Sequence, residues 1–218
     1  LELWTAVIHR RYITMIFLGG VTGGKVDVIY AYSPPLLMAY AGWLLASIKG
    51  ATFILGVQDL HPQAYIDQGV LKNRLLIKVL RFLEKLSYRL ADGVTVHSKR
   101  NRDHVLKIGG ARTHSVEVIP NWVNIENVVP LPKINRFSNN LDLDGNFVVG
   151  YAGTIGLSQG VECIIQAANI LRENNEIHFL IVGDGIEKDA IVKKSSKLFL
   201  ENISFIEMQP ERDYPYVV

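Results

Sequence analysis

The segment VDVIYAYSPPLLMAYAGWLLASIKGATFILGV, residues 26–57, decides the fold. Its opening run, 26–32, is rich in β-branched and aromatic side chains and reads as a strand. Ser33-Pro34-Pro35 stops that strand, because proline cannot donate to a sheet ladder. An apolar helix then runs to Ile48, and ATFILGV (51–57) makes a second strand. Strand, helix and strand in this order form a βαβ unit, the building block of a parallel sheet. The run from Pro35 to Ile48 falls short of the roughly 20 residues needed to span a bilayer, so it reads as a core helix.

Working outward toward the C-terminus, the alternation continues. Gln58 to Pro62 forms a turn beyond the second strand, and a helix covers about 72–90. GVTVHS (93–98) makes the third strand, Ser98 N-caps the helix KRNRDHVLKI, Gly109-Gly110 ends it, and VEVIP (116–120) is the fourth strand. Residues 121–146 carry prolines, asparagines and acids without sustained periodicity, which predicts an interdomain connection with one short helical stretch near its end. A second alternation follows: strand 147–152, glycine loop, helix 161–172, strand 177–183, helix 186–198 and strand 203–207. The expected organisation is α/β with parallel sheets: a first Rossmann-like domain over 1–121, a connection over 122–146 and a second Rossmann-like domain over 147–218. Both domains are expected to be incomplete, the second because its three strands are half of what a doubly wound nucleotide domain usually has.

Bulk properties narrow the function. Of 218 residues 49% are apolar, the formal charge is only +2, and there is one cysteine. This describes a globular protein without internal disulfides and gives no support to a nucleic-acid binder. Cys163, on an amphipathic helix, is expected to be a buried thiol in a reducing compartment. The first residues, LELWTAVIHRRYITMIF, lack an initiator methionine, a basic leader and a cleavage site, so the natural N-terminus is expected to lie upstream.

Three features could carry chemistry. The loop from Gly153 and Thr154 through Gly156 to Gly160 joins a strand to a helix, where backbone N–H groups and the positive helix end receive phosphates. It matches neither the dinucleotide fingerprint nor the P-loop, and read locally its glycines serve tight packing equally well. Gly183, Asp184 and Gly185 hold the equivalent place after the next strand, so the two loops would line one crevice. At the end of the second strand, Asp59 and His61 bring an acid and an imidazole to one turn; each is a candidate for proton or hydrogen-bond work, against the plainer reading that Asp59 holds the turn or caps a helix and His61 is a partly exposed loop residue. The helix NRLLIKVLRFLEKLSYRL sets Arg74, Lys78, Arg81, Lys85 and Arg89 on one side. Leu75, Leu76, Val79, Leu80, Leu83, Leu86 and Leu90 lie on the other, expected to serve the sheet. His97 and His104 show no metal-ligand spacing, and no metal site is expected.

In order along nearly the whole chain, DVIYAYSPPL (27–36), VQDLHPQAYIDQGV and its continuation to Val105 (57–105), VIPNWVN (118–124), FVVGYAGTIGLSQGVECIIQAANIL (147–171) and HFLIVGDGIEKDAI (178–191) resemble the sugar-nucleotide glycosyltransferases of the GT-B fold. The likeness is to bacterial members that build exopolysaccharide, colanic acid and O-antigen. It implies two Rossmann-like domains, the acceptor held mainly by the first and the nucleotide-sugar donor by the second, with retention of configuration, no bound metal and no cofactor. Gly153, Thr154 and Gly156 would lie by the donor diphosphate, and Gly183, Asp184 and Gly185 near the nucleotide. Acceptors would be lipid-linked glycans at the cytoplasmic face of the plasma membrane, making Arg74, Lys78, Arg81 and Lys85 candidate membrane contacts. Three departures stand out. Thr154 and Gln159 replace a frequent arginine and lysine, and Gln58 replaces a frequent histidine, with His61 where tryptophan is common. The family's first glycine loop would precede residue 1 and its paired-glutamate donor motif would follow Val218. Two alternatives therefore stay open: an inactive split-gene remnant acting as a binding module, and a sugar-nucleotide 2-epimerase.

Overall fold

A computed structural model describes residues 20–111, 115–141, 143 and 145–217, so the N-terminal stretch read above lies outside the described residues. The chain divides into two compact units, Leu1–Trp122 and Val123–Val218.

The first unit is a four-stranded parallel sheet in the order β1 (Val28–Ser33), β2 (Thr52–Val57), β3 (Gly93–Val96) and β4 (Val116–Val118). Its connections are α1 (Leu37–Lys49), the short α2 (Gln63–Asp67), α3 (Arg74–Leu90) and α4 (Lys99–Ile108). The turn after β2 thus runs into a short helix beyond Pro62 in addition to the elements expected from sequence. Helix α1 sits close to the sheet because its inner stripe is small: Ala39, Gly42 and Ala46 are all buried. A Cβ at Gly42 would come within 2.8 Å of both Ala31 and the Phe53 ring. Ala31, Phe53, Leu55, Val57, Val94 and Val96 supply the sheet's side of this core, and Tyr88 and Val105 the helical side. Asp92 joins the strand starts, its carboxylate accepting from the Phe53 N–H at 2.8 Å while its own N–H donates to the Phe53 carbonyl at 2.9 Å.

The helix termini follow the sequence. Asn73 accepts from the N–H groups of Leu75 and Leu76, and Ser98 from that of Asn101. Gly109 and Gly110 take φ of +79° and +107° at the end of α4. A side chain at Gly110 would meet the Lys85 carbonyl oxygen at 2.3 Å, so glycine is required there by the approach of α3.

The second unit carries a three-stranded parallel sheet in the order β5 (Phe147–Ala152), β6 (Ile177–Val182) and β7 (Ile203–Ile206), with α6 (Glu162–Ile170) and α7 (Lys188–Lys197) as crossovers. The connecting segment packs with this unit, adding α5 (Arg136–Asn140), and a 3-10 turn closes it over Glu211–Tyr216. Its core is built from Val161, Ile165, Ala168, Phe179, Ile181 and Ile191. That spacing of four and three on α6 corrects the expectation for Cys163. The core takes Val161, Ile165 and Ala168, so Cys163 lies off that stripe and its thiol is exposed. A cavity of about 560 Å³ lies under the other sheet face, bounded by Val148, Gly150, Leu180 and Val182 and by Tyr216. Among the described residues no helix is long and apolar enough to cross a membrane.

Candidate functional site

The two glycine loops meet main chain to main chain. Beyond the carboxyl ends of β5 and β6 the parallel ladder continues: the Gly153 N–H donates to the Val182 carbonyl (2.9 Å) and the Ile155 N–H to the Asp184 carbonyl (2.8 Å). The Glu187 N–H closes back onto Ile155 (3.1 Å), and the Asp184 carboxylate accepts from the Gly185 N–H (2.8 Å). Gly183 and Gly185 both take φ near +156°, and a Cβ on them would stand 1.9 Å from the Gly153 oxygen and 2.2 Å from the Ile155 oxygen. These glycines are therefore required by backbone packing whatever the loops bind.

Within this interlocked pair the N–H groups of Thr154 and Gly156 have no protein acceptor among the described residues. Neither α6 nor α7 carries a side-chain cap at its N-terminus. The loops after β5 and β6 thus carry backbone donors without a protein acceptor and lead into two helix N-termini that have no side-chain cap, groups of the kind that receive an anion. The Tyr151 hydroxyl fixes the loop from below by donating to the Thr154 carbonyl (2.6 Å), and burial pushes its pKa up. Lys188 brings a cation to the same end of the sheet, paired with Glu207 at 2.6 Å.

In the first unit, the strand carboxyl ends gather a second group. His97, just beyond β3, donates from Nδ1 to the Ile119 carbonyl (3.0 Å) after β4, and its Nε2 meets Gln58 Oε1 (2.5 Å) after β2. One imidazole thereby ties three strand ends together and orients the amide. Beside it, Tyr32, Gln58, Asn121 and Trp122 line an open hollow of about 420 Å³, with Trp122 79% exposed. Sequence reading placed His97 only at a strand end; the partner that gives it a role is 39 positions away.

Asp59 and His61 occupy the same turn. Asp59 is exposed, and His61 is half-buried with its ring edge-on to Tyr65 at 4.4 Å. Burial lowers the His61 pKa, and Asp59 opposes the shift only in part. The ring is therefore neutral at pH 7 and able to accept a proton.

Arg74, Lys78, Arg81 and Lys85 lie exposed along α3, far in sequence from either glycine loop. The same helix buries one acid. Glu84 accepts from the Tyr88 hydroxyl (2.9 Å) and faces His104 Nε2 (3.4 Å), while its Oε2 is buried without a partner. Burial raises its pKa against the pull of these neighbours. The expectation that the α3 leucines serve the sheet fails at one end of the helix: Leu75, Leu76 and Val79 are exposed, as is Phe82.

Residues 4–122 match the glycosyl transferase 4-like domain. The chain belongs to the glycosyltransferase 4-like family. This glycosyltransferase-family chain is 30% identical over 191 residues to the putative colanic acid biosynthesis glycosyl transferase WcaI of Escherichia coli K12, covering 85% of itself and 46% of that protein. It is 29% identical over 169 residues to the probable glycosyltransferase WbjE of Pseudomonas aeruginosa, covering 77% of itself and 42% of that protein. It therefore spans less than half the length of either relative. Two solved structures show the same fold. Anabaena Alr3699/HepE, solved in complex with UDP and glucose, superposes with a TM-score of 0.68 at 19% identity over 91% of this chain and 52% of that one. Sucrose-phosphate synthase from Thermosynechococcus elongatus superposes with a TM-score of 0.74 at 17% identity over 95% and 51%. The architecture is that of the GT-B glycosyltransferases.

Proposed function

We propose that this chain is part of a glycosyltransferase that moves a sugar from a nucleotide-diphosphate donor to a lipid-linked glycan acceptor in cell-surface polysaccharide assembly. The observation that carries the donor half is the interlocked loop pair of Gly153–Gly156 and Gly183–Gly185. It leaves the N–H groups of Thr154 and Gly156 without a protein acceptor among the described residues and leads into two helix N-termini that carry no side-chain cap. Departure of a nucleoside diphosphate develops negative charge on the leaving phosphate, and preorganised donors of this kind stabilise such charge as it forms. Thr154 and Gly156 would face the diphosphate, and Gly183, Asp184 and Gly185 the nucleotide. Solved structures of this fold holding UDP and UDP-glucose support that donor class.

On the acceptor side, Asp59 and His61 are the candidates for proton or hydrogen-bond work at the strand ends, with Gln58 held by His97. Work takes place at the cytoplasmic face of the plasma membrane, with Arg74, Lys78, Arg81 and Lys85 contacting it. Thr154 and Gln159, standing where relatives often carry cations, favour the alternative of a binding module without turnover.

Calorimetric titration of the chain with UDP and GDP tests the donor site. Saturable binding is expected, lost in Thr154→Asp because a carboxylate then occupies the anion crevice, with the melting temperature unchanged at this exposed position. Gln159→Lys restores a cation beside Gly156 and should tighten binding about ten-fold, the effect of one charge-assisted hydrogen bond. Binding that ignores both changes would sink the assignment.

A further inference from the structure

We propose that His97 is a positioning residue. It holds the Gln58 amide so that the amide's outer end meets a hydroxyl of a sugar ring lodged in the hollow between Tyr32, Gln58, Asn121 and Trp122. The proposal deepens the acceptor half of the reading above, on which it rests, and draws nothing from the donor loops.

The geometry begins with the main chain. Gln58 and Ile119 lie just past the ends of β2 and β4, and continuations of the ladder pin both. The Gln58 N–H donates to the Ser33 carbonyl and the Ile119 N–H to the Val96 carbonyl, each at 2.8 Å. The His97 ring spans the gap between them. A carbonyl oxygen has no hydrogen to give, so the 3.0 Å contact with Ile119 fixes a hydrogen on Nδ1. Nε2 then engages one end of the Gln58 amide. A hydrogen-bearing Nε2 takes Oε1, the contact at 2.5 Å; a bare Nε2 takes the NH2 group after a half-turn of the amide.

In either state the ring occupies one end of the amide and leaves the other without a protein partner among the described residues. The bond to Ile119 joins two strand ends. The bond to Gln58 reaches a side chain whose backbone is already pinned, so what it adds is the orientation of the amide. A side chain held in this way gives up its rotamer freedom before a ligand arrives, and binding is tighter for it.

The lining names the occupant. Four side chains bound the hollow of about 420 Å³: two aromatic rings and two amides, with no charged group among them. The Tyr32 ring is itself set, edge-on to Tyr30 at 5.0 Å, with the Tyr30 hydroxyl bonded to Thr95 at 2.6 Å. The Asn121 amide has no protein partner among the described residues. A phosphate would find no cation in this lining, and a hydrocarbon tail would strand both amides. A pyranose ring matches both halves, laying its C–H face on an aromatic ring and turning hydroxyls to the amides. A hydroxyl both donates and accepts, so it satisfies Gln58 whichever end His97 leaves outward.

The test is a titration of the isotope-labelled chain, followed by nuclear magnetic resonance, with methyl glycosides of glucose, galactose and mannose, and with inorganic phosphate as control. The Gln58 side-chain NH2 and Trp122 indole signals are expected to shift saturably with at least one glycoside and to ignore phosphate. Gln58→Ala and His97→Phe should each weaken that binding about ten-fold, the effect of one hydrogen bond. Combined, they should still cost about ten-fold, because His97 acts through Gln58 and has nothing left to position. His97→Gln, whose own amide reaches Gln58, should recover most of the loss. Should His97→Phe fail to fold, His97→Asn repeats the comparison, since it keeps the bond to Ile119 and is too short for Gln58. Losses that multiply to about a hundred-fold in the double variant would show that the two residues act independently and would overturn the positioning role. If glycosides shift other signals of the first unit and leave Gln58 unmoved, the proposal is overturned while the acceptor reading stands. If no glycoside binds, both fall, and the titration with UDP still decides the donor site by itself.

Discussion

At Gly183 an added methyl group would lie 1.9 Å from a carbonyl oxygen, whereas at Gly150, in the middle of β5, it would meet nothing within 4 Å. Gly183→Ala should therefore cost about 3 kcal/mol or more in urea unfolding, through overpacking and backbone strain combined. Gly150→Ala should be neutral or gain about 0.5 kcal/mol by restricting the unfolded chain. The letter G gave the same signal at both sites, and only the approach of a second loop separates them. Glu84 makes a residue-scale prediction of another kind. Its folded pKa is raised, so the folded state holds this proton more tightly than the unfolded chain. Stability is then full below the ordinary value of 4.5 and falls as pH rises from there toward the raised folded value. Glu84→Gln keeps an acceptor for Tyr88 and has nothing to ionise. Unfolding free energies measured across this range should decline for wild type and stay flat for the variant. The pairing of Glu84 with His104 joins two helices 20 positions apart and has no local signature in the sequence.

Elements were legible where their ends carry short-range chemistry. Ser98 and Asn73 cap α4 and α3 because their side chains bond to backbone two or three residues on, an interaction written within four letters. Ser98→Ala and Asn73→Ala should each cost about 1 kcal/mol, read from thermal or urea melts. Which face of a helix meets the sheet was less legible. Periodicity divides α3 into a cationic stripe and an apolar remainder, but that remainder is too wide for the core to take whole. The packed flank holds Glu84, Ser87 and Tyr88, with Glu84 turned toward His104 of α4, and Leu75, Val79 and Phe82 are left outside. Cys163 was misread for the same reason: an amphipathic helix has one buried stripe, and the residue stands off it.

For the molecule as a whole, the buried side chains fall into two disjoint sets, one around Phe53, Leu55 and Val96 and one around Ile165, Phe179 and Ile181. Phe53→Ala, at about 3–5 kcal/mol for a buried phenylalanine, should raise amide exchange across β1 to β4 and leave β5 to β7 protected. Ile181→Ala should do the reverse. The βαβ rhythm revealed both sheets in advance because each strand and helix announces itself locally. What it could not reveal is that the loops after β5 and β6 grip each other. That grip bears on how such a protein can diversify. With Gly183 and Gly185 committed to the main chain of the neighbouring loop, a saturation library selected on new nucleotide sugars should return glycine at both positions under every selection. Its winners should differ at Thr154 and Gln159, so the scaffold for the phosphates is inherited unchanged while the choice of substrate drifts around its rim.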